Sequence, residues 1–143
     1  MPISPITEPK LSHISAVADL MYERALAATG DESYAEKMYV LGFVHDIGYI
    51  FGTKGHAETG GELLARCSFE YADEVALHGS ADPDQPTPEL DLLQWCDMSV
   101  GPGGKRMTPA ERLADIGERY GTDSEQYISA AIIIKRLANK GMN

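Results

Sequence analysis

The chain contains four histidines, and each stands where a metal-binding or acid–base site would use one. His13 comes early, His45 is followed at once by Asp46 in His45-Asp46-Ile47-Gly48, His56 and His78 follow, and Asp97 closes the series within Trp95-Cys96-Asp97-Met98. Imidazole and carboxylate together suit iron, manganese, cobalt, nickel or zinc. Six such groups exceed the ligands of one four-coordinate zinc, so the count points to two metals sharing a carboxylate. Taken singly, each residue has an ordinary structural explanation, such as a cap, a helix-dipole partner or a solvated carboxylate. The ordered set H…HD…H…H…D carries the functional reading.

The elements that must position these residues read as helices. Ile14, Val17, Ala18, Met21 and Ala25 recur at helical spacing and predict a first helix from Ser12 to about Ala28, stopped by Gly30. Ser33-Tyr34-Ala35-Glu36 has the pattern of a capping box and predicts a second helix ending close to Asp46. A third is expected from Ala57 to Cys67 and a fourth from Phe69 to His78, with Gly79 as its stop. Thr87-Pro88-Glu89 opens a fifth that runs to Asp97, Thr108-Pro109-Ala110-Glu111 a sixth closed by Gly121, and Ser124 to Asn139 forms the last. Proline- and glycine-rich loops at 80–86 and 101–104 separate these helices. An all-α, single compact multi-helix bundle of about seven helices over residues 1–143 is therefore expected. Most candidate ligands then fall at helix ends: His13 opening the first, His45 and Asp46 closing the second, His56 just before the third, His78 and Asp97 closing the fourth and fifth. Helix ends can converge on one point in a bundle.

The order and local contexts of these residues resemble the HD superfamily of metal-dependent phosphohydrolases, in its small stand-alone bacterial form. The similarity runs from His13 to about Tyr120 and includes Asp97-Met98-Ser99, Gly104, Arg112-Leu113 and Arg119-Tyr120-Gly121. It implies that His13, His45, Asp46 and Asp97 hold one metal, that Asp46 bridges to a second, and that His56 and His78 complete that one. Two divalent transition-metal ions would be the cofactors, iron or manganese foremost. The function implied is hydrolysis of a phosphate ester or anhydride of a small molecule, such as a nucleotide, by a metal-bound hydroxide, with Asp46 central to catalysis. Four neutral imidazoles and two aspartates facing two divalent ions leave the centre at about +2 before any hydroxide binds, a local anion trap. Lys54, Lys105, Arg106 and Arg112 are the candidate substrate contacts, Arg112 offering a planar fork for phosphate.

Neighbouring branches of the family set limits. Tyr49 follows Gly48 where cyclic-di-GMP phosphodiesterases carry a lysine, and no HHE…GYP motif follows. Some members with the same six ligands are mixed-valence di-iron oxygenases of small polyols or phosphonates, which is the alternative class. A non-catalytic metal-bound ligand sensor is the third.

Composition narrows the partners. A net charge of −10, with Lys105-Arg106 as the densest basic cluster, argues against nucleic acid, which needs clustered cations. No stretch approaches the ~20 apolar residues of a membrane span. Met1-Pro2-Ile3-Ser4-Pro5 has no charged or apolar leader character, and two cysteines make no disulfide framework, so a cytoplasmic location is expected. Tyr127, Ile128, Ile132 and Ile133 are assigned to the core or to a contact between two copies of the chain, which would make a homodimer.

Overall fold

A computed structural model describes residues 3–142; Met1 and Pro2, part of the segment searched for a leader, lie outside them. Seven α-helices follow in order: α1 (Glu8–Thr29), α2 (Glu32–Val44), α3 (His56–Arg66), α4 (Ala72–Leu77), α5 (Pro88–Asp97), α6 (Pro109–Tyr120) and α7 (Glu125–Asn139). Short 3₁₀ turns at Ile47–Phe51 and Pro102–Gly104 complete the regular structure, and no strand occurs among the described residues beyond an isolated Val100–Arg106 bridge. The all-α expectation holds. No helix among the described residues is long and apolar enough to cross a membrane.

Local chemistry explains most boundaries. Thr87 accepts from the Leu90 amide, Thr108 and Glu111 form a reciprocal capping box, and Ser124 accepts from the Tyr127 amide, as the sequence predicts. Three boundaries differ. α1 starts a full turn before Ser12, because Pro9 fits the first turn, where no backbone N–H is needed. His13 therefore lies inside α1 instead of opening it. α2 is capped by Asp31, which accepts from the Tyr34 amide at 3.2 Å, and not by Ser33. α4 is shorter than expected: the chain turns through Ser68, at a positive φ of 59°, and the helix begins only at Ala72.

Helices α1 and α2 pack as a hairpin around Gly30, which closes α1 in the left-handed conformation. A Cβ at Gly42 would lie 2.9 Å from the Ala18 Cα, so the two backbones approach as only glycine permits. Val17, Met21, Met38 and Leu41 from this hairpin meet Val75, Leu93 and Val100 in the core. α3 and α4 pair closely where Gly61 meets Ala76. α6 packs on α7, and α7 on α5, closing the bundle.

Candidate metal centre

The six sequence-singled residues converge on one place. His13 comes from the second turn of α1, His45 and Asp46 from the end of α2, His56 from the first residue of α3, His78 from the end of α4 and Asp97 from the last residue of α5. Within this group His13, His45 and Asp46 bring ligand atoms within 4.8 Å of one another, as do Asp46, His56 and His78, and also His45, His78 and Asp97. His45 is fully buried, and His13, Asp46 and His78 are buried at 8%, 5% and 5% exposure, a placement these polar groups tolerate only with partners.

Asp46 organises the cluster. Its Oδ2 faces His45 Nε2 at 3.2 Å and His13 Nε2 at 3.8 Å, while its Oδ1 faces His56 Nε2 and His78 Nε2, each at 3.3 Å. Asp97 Oδ1 joins the first side, 2.8 Å from His13 Nε2 and 3.4 Å from His45 Nε2. One carboxylate thus divides its two oxygens between two sets of imidazoles.

The imidazoles are oriented from behind by backbone. His45 donates its Nδ1–H to the Gly42 carbonyl and His78 its Nδ1–H to the Val75 carbonyl, both at 2.6 Å and both three residues back. Both carbonyls lie in the last turn of their helices, where the helical amide partners run out, and that of Val75 also accepts the His78 amide. His13 Nδ1 lies 3.3 Å from the Gly101 carbonyl. A carbonyl can only accept, so each Nδ1 carries hydrogen and Nε2 is left facing the carboxylates, as a lone pair when the ring is neutral and as an N–H when it is protonated. Metal-ligating histidines typically have the far ring N–H held by a carbonyl or carboxylate in this way. His45 Nε2 is buried with no hydrogen-bond partner, because its approach to the two aspartates is close but poorly angled. Such an orphaned atom facing two carboxylates is what a cation would satisfy.

Charge coupling reinforces the picture. Burial alone would lower the His45 pKa, yet Asp46 and Asp97 outweigh it and hold it well above its usual value. Burial would raise the Asp46 carboxyl, but His45, His56 and His78 hold it well below the carboxylate range. Asp97 is held low against burial by the hydrogen bond from His13 and by His45. Without a cation, the cluster keeps a proton where positive charge is wanted.

Glycines set the approach of the segments. A Cβ at Gly48 would fall 1.8 Å from the His56 carbonyl oxygen and 2.9 Å from the Gly60 amide, so the 3₁₀ turn after Asp46 can press against the start of α3 only as glycine. Gly104 brings the 102–104 turn onto α1 beside Ser12. Gln94, 1% exposed, donates to the carbonyls of His78 (3.1 Å) and Ser80 (2.8 Å), which pins the loop after α4.

The cluster opens into a cavity of about 390 Å³ lined also by Lys10, Tyr49, Arg112, Ile116, Arg119 and Tyr120. Arg112 reaches it, as the sequence suggested. Lys54 lines an adjoining cleft of about 690 Å³ that shares His78, Asp97 and Arg112. Lys105 is exposed and lines neither. Arg106 goes elsewhere: it pairs with Glu23 of α1 at the edge of a groove formed with Tyr22, Tyr39 and Val40. The Val100–Arg106 bridge turns it that way. Lys10, Tyr49 and Arg119 were not singled out as site residues. Lys10 lies three residues before His13 and Arg119 seven after Arg112, both same-face helical spacings that could have marked them. Tyr49 stacks on His56 at 4.0 Å between ring centroids, with the Lys10 ammonium 3.5 Å above its other face.

Fold and site together define an all-α protein whose buried His/Asp cluster is fit to hold metal ions. No protein-family model, curated protein or solved structure matches this chain.

Proposed function

We propose that the protein is a dinuclear metal-dependent phosphohydrolase of the HD type, acting on a phosphate ester or anhydride of a small molecule such as a nucleotide. The observation that carries this reading is the division of Asp46: one oxygen toward His45 and His13, the other toward His56 and His78. A bridging carboxylate between two metals needs that division, with Asp97 completing the first set. Divalent ions held there would supply an acidified water at neutral pH and charge to neutralise phosphoryl oxygens.

The chain's own residues do the rest. The Gly42, Val75 and Gly101 carbonyls fix the tautomers and ring angles of His45, His78 and His13, so the donor set is oriented before any ligand arrives. Arg112, half-buried on the cavity wall, offers the exposed edge of its guanidinium to a phosphoryl oxygen. Ile116 and the Tyr49–His56 stack supply apolar wall that limits water around the reacting group.

The test combines metal analysis of anaerobically purified protein with a phosphate-release screen across nucleotides and sugar phosphates. Two transition-metal ions per chain, oxygen-independent turnover and solvent oxygen in the released phosphate are expected. Turnover that stops without dioxygen would transfer the site to the oxygenase class, and ligand binding without turnover to a sensor.

A further inference from the structure

The arginine that the proposed function uses is not alone. Arg112 and Arg119 stand on one face of α6, seven residues and so roughly 10 Å apart along the axis, and both line the cavity of the metal cluster. Between them lies Asp115. Its Oδ2 accepts from Arg112 Nη1 at 3.3 Å and its Oδ1 from Arg119 Nε at 3.1 Å. Asp115 itself is absent from the cavity wall, so it holds both guanidinium groups from behind. Each arginine spends one N–H on that carboxylate and keeps four of its five. Lys10 adds a third cation on the wall, and Asp46 and Asp97 are the wall's carboxylates among the described residues.

Charge counting then speaks to the substrate. Lys10, Arg112 and Arg119 less Asp115 leave about +2 at the rim, beyond the +2 of a dinuclear centre, which a bound hydroxide lowers to about +1. A phosphate monoester brings about −2 at neutral pH, more than the hydroxide-bearing centre needs but less than centre and rim together. At least one positive charge at the rim is left over. From this we propose that Asp115 is a positioning residue that locks Arg112 and Arg119 into a paired-guanidinium receptor for a second anionic group, and that the substrate is a diphosphate-bearing small molecule. The metals' phosphoryl group and the receptor's group would belong to the same ligand. A cavity of about 390 Å³, at the small end of the ~300–1,000 Å³ range of ligand sites, takes one such molecule of nucleoside diphosphate size. The inference rests on the dinuclear phosphohydrolase reading for its charge sum.

The experiment is calorimetric titration of the metal-loaded protein with non-cleavable phosphonate analogues of AMP and ADP, metal content being checked before and after. The parent should bind the ADP analogue at least tenfold tighter than the AMP analogue. Arg119→Ala should shrink that preference to within about threefold while AMP-analogue affinity and metal content stay near the parent's, and Asp115→Asn, which also releases Arg112, should shrink it likewise with metal content unchanged. Arg119→Lys should restore it only in part, since an ammonium lacks the planar fork. Arg119 is largely exposed, so its variants should fold. A parent with no preference, no binding of either analogue, or variants that weaken both ligands equally would overturn the proposal. A surviving preference in a protein that hydrolyses nothing would sink the phosphohydrolase reading and leave the receptor standing.

Discussion

Gly48→Ala isolates the geometry that brings the second half of the cluster to Asp46. The added methyl would meet the His56 carbonyl oxygen at 1.8 Å and its carbonyl carbon at 2.7 Å. Contacts to a Cβ closer than about 3.0 Å do not persist in packed interiors, so the turn and the start of α3 must part by about 1.2 Å. His56 Nε2 sits 3.3 Å from Asp46 Oδ1, and a shift of that size is large against the ~0.2 Å tolerance of a metal–ligand bond. Overpacking of this kind costs about 1–3 kcal/mol. The variant should therefore keep its helical circular dichroism, melt earlier, and hold one metal ion where two are expected for the parent. Combining it with His56→Ala should add little further metal loss, since both act on the same ligand. Elemental analysis and calorimetric melting are the assays. If Gly48→Ala binds metal with the parent's stoichiometry and affinity, the close approach does not position His56, and the reasoning fails.

Further outcomes are expected. His56→Ala or His78→Ala should each lose one metal with the fold intact, whereas Asp46→Ala should empty both positions; a steady stoichiometry of one, indifferent to His56 and His78, would refute the bridged arrangement. Arg112→Ala should cost about 1.5–3 kcal/mol in kcat/KM, the range for a hydrogen bond to a charged group, without changing metal content; a change under twofold would mean the phosphate is held elsewhere. Gln94→Leu should strand the His78 and Ser80 carbonyls and destabilise by about 1–3 kcal/mol, with weaker binding of the metal that His78 serves; unchanged urea unfolding and metal affinity would refute it. In chelator, the stability that Asp46 and Asp97 contribute is present above the ordinary carboxylate range and lost as pH falls through their lowered values, while that of His45 is present below 6.5 and lost as pH rises through its raised value. Metal-free protein should accordingly be most stable at mildly acidic pH, and metal should extend that stability to higher pH by replacing the His45 proton; urea midpoints across pH, with and without metal, check this.

The helices of the second half were legible because their signals are local: Thr87-Pro88, Thr108-Pro109 with Glu111, and Ser124 each place an oxygen within reach of the amide three residues on. The start of α2 offered two such oxygens, Asp31 and Ser33, and spacing alone cannot choose between overlapping caps. For the cluster, residue type and order were enough to nominate all six members. Their division around Asp46 follows from where α3 and α4 dock, which is set by the Gly48–His56 and Gly61–Ala76 approaches and leaves no periodic trace. Arg106 shows the opposite case. Its closeness to Asp97 in sequence suggested the site, but the short bridge to Val100 directs it to Glu23.

The members of the cluster come from α1 through α5, and none comes from α6 or α7. Bound metal would cross-link five segments that are far apart in the chain, and would do so without touching the last two helices. Metal would then tie α1 to α5 together more tightly than it ties α6 and α7, which join the core without supplying a ligand. Amide hydrogens of α1 to α5 should exchange far more slowly when metal is present, because opening any of those helices there means giving up a coordination bond. Those of α6 and α7 should exchange at nearly the same rate either way. Local opening of the helix that carries Arg112 and Arg119 would then cost core contacts but no coordination bond.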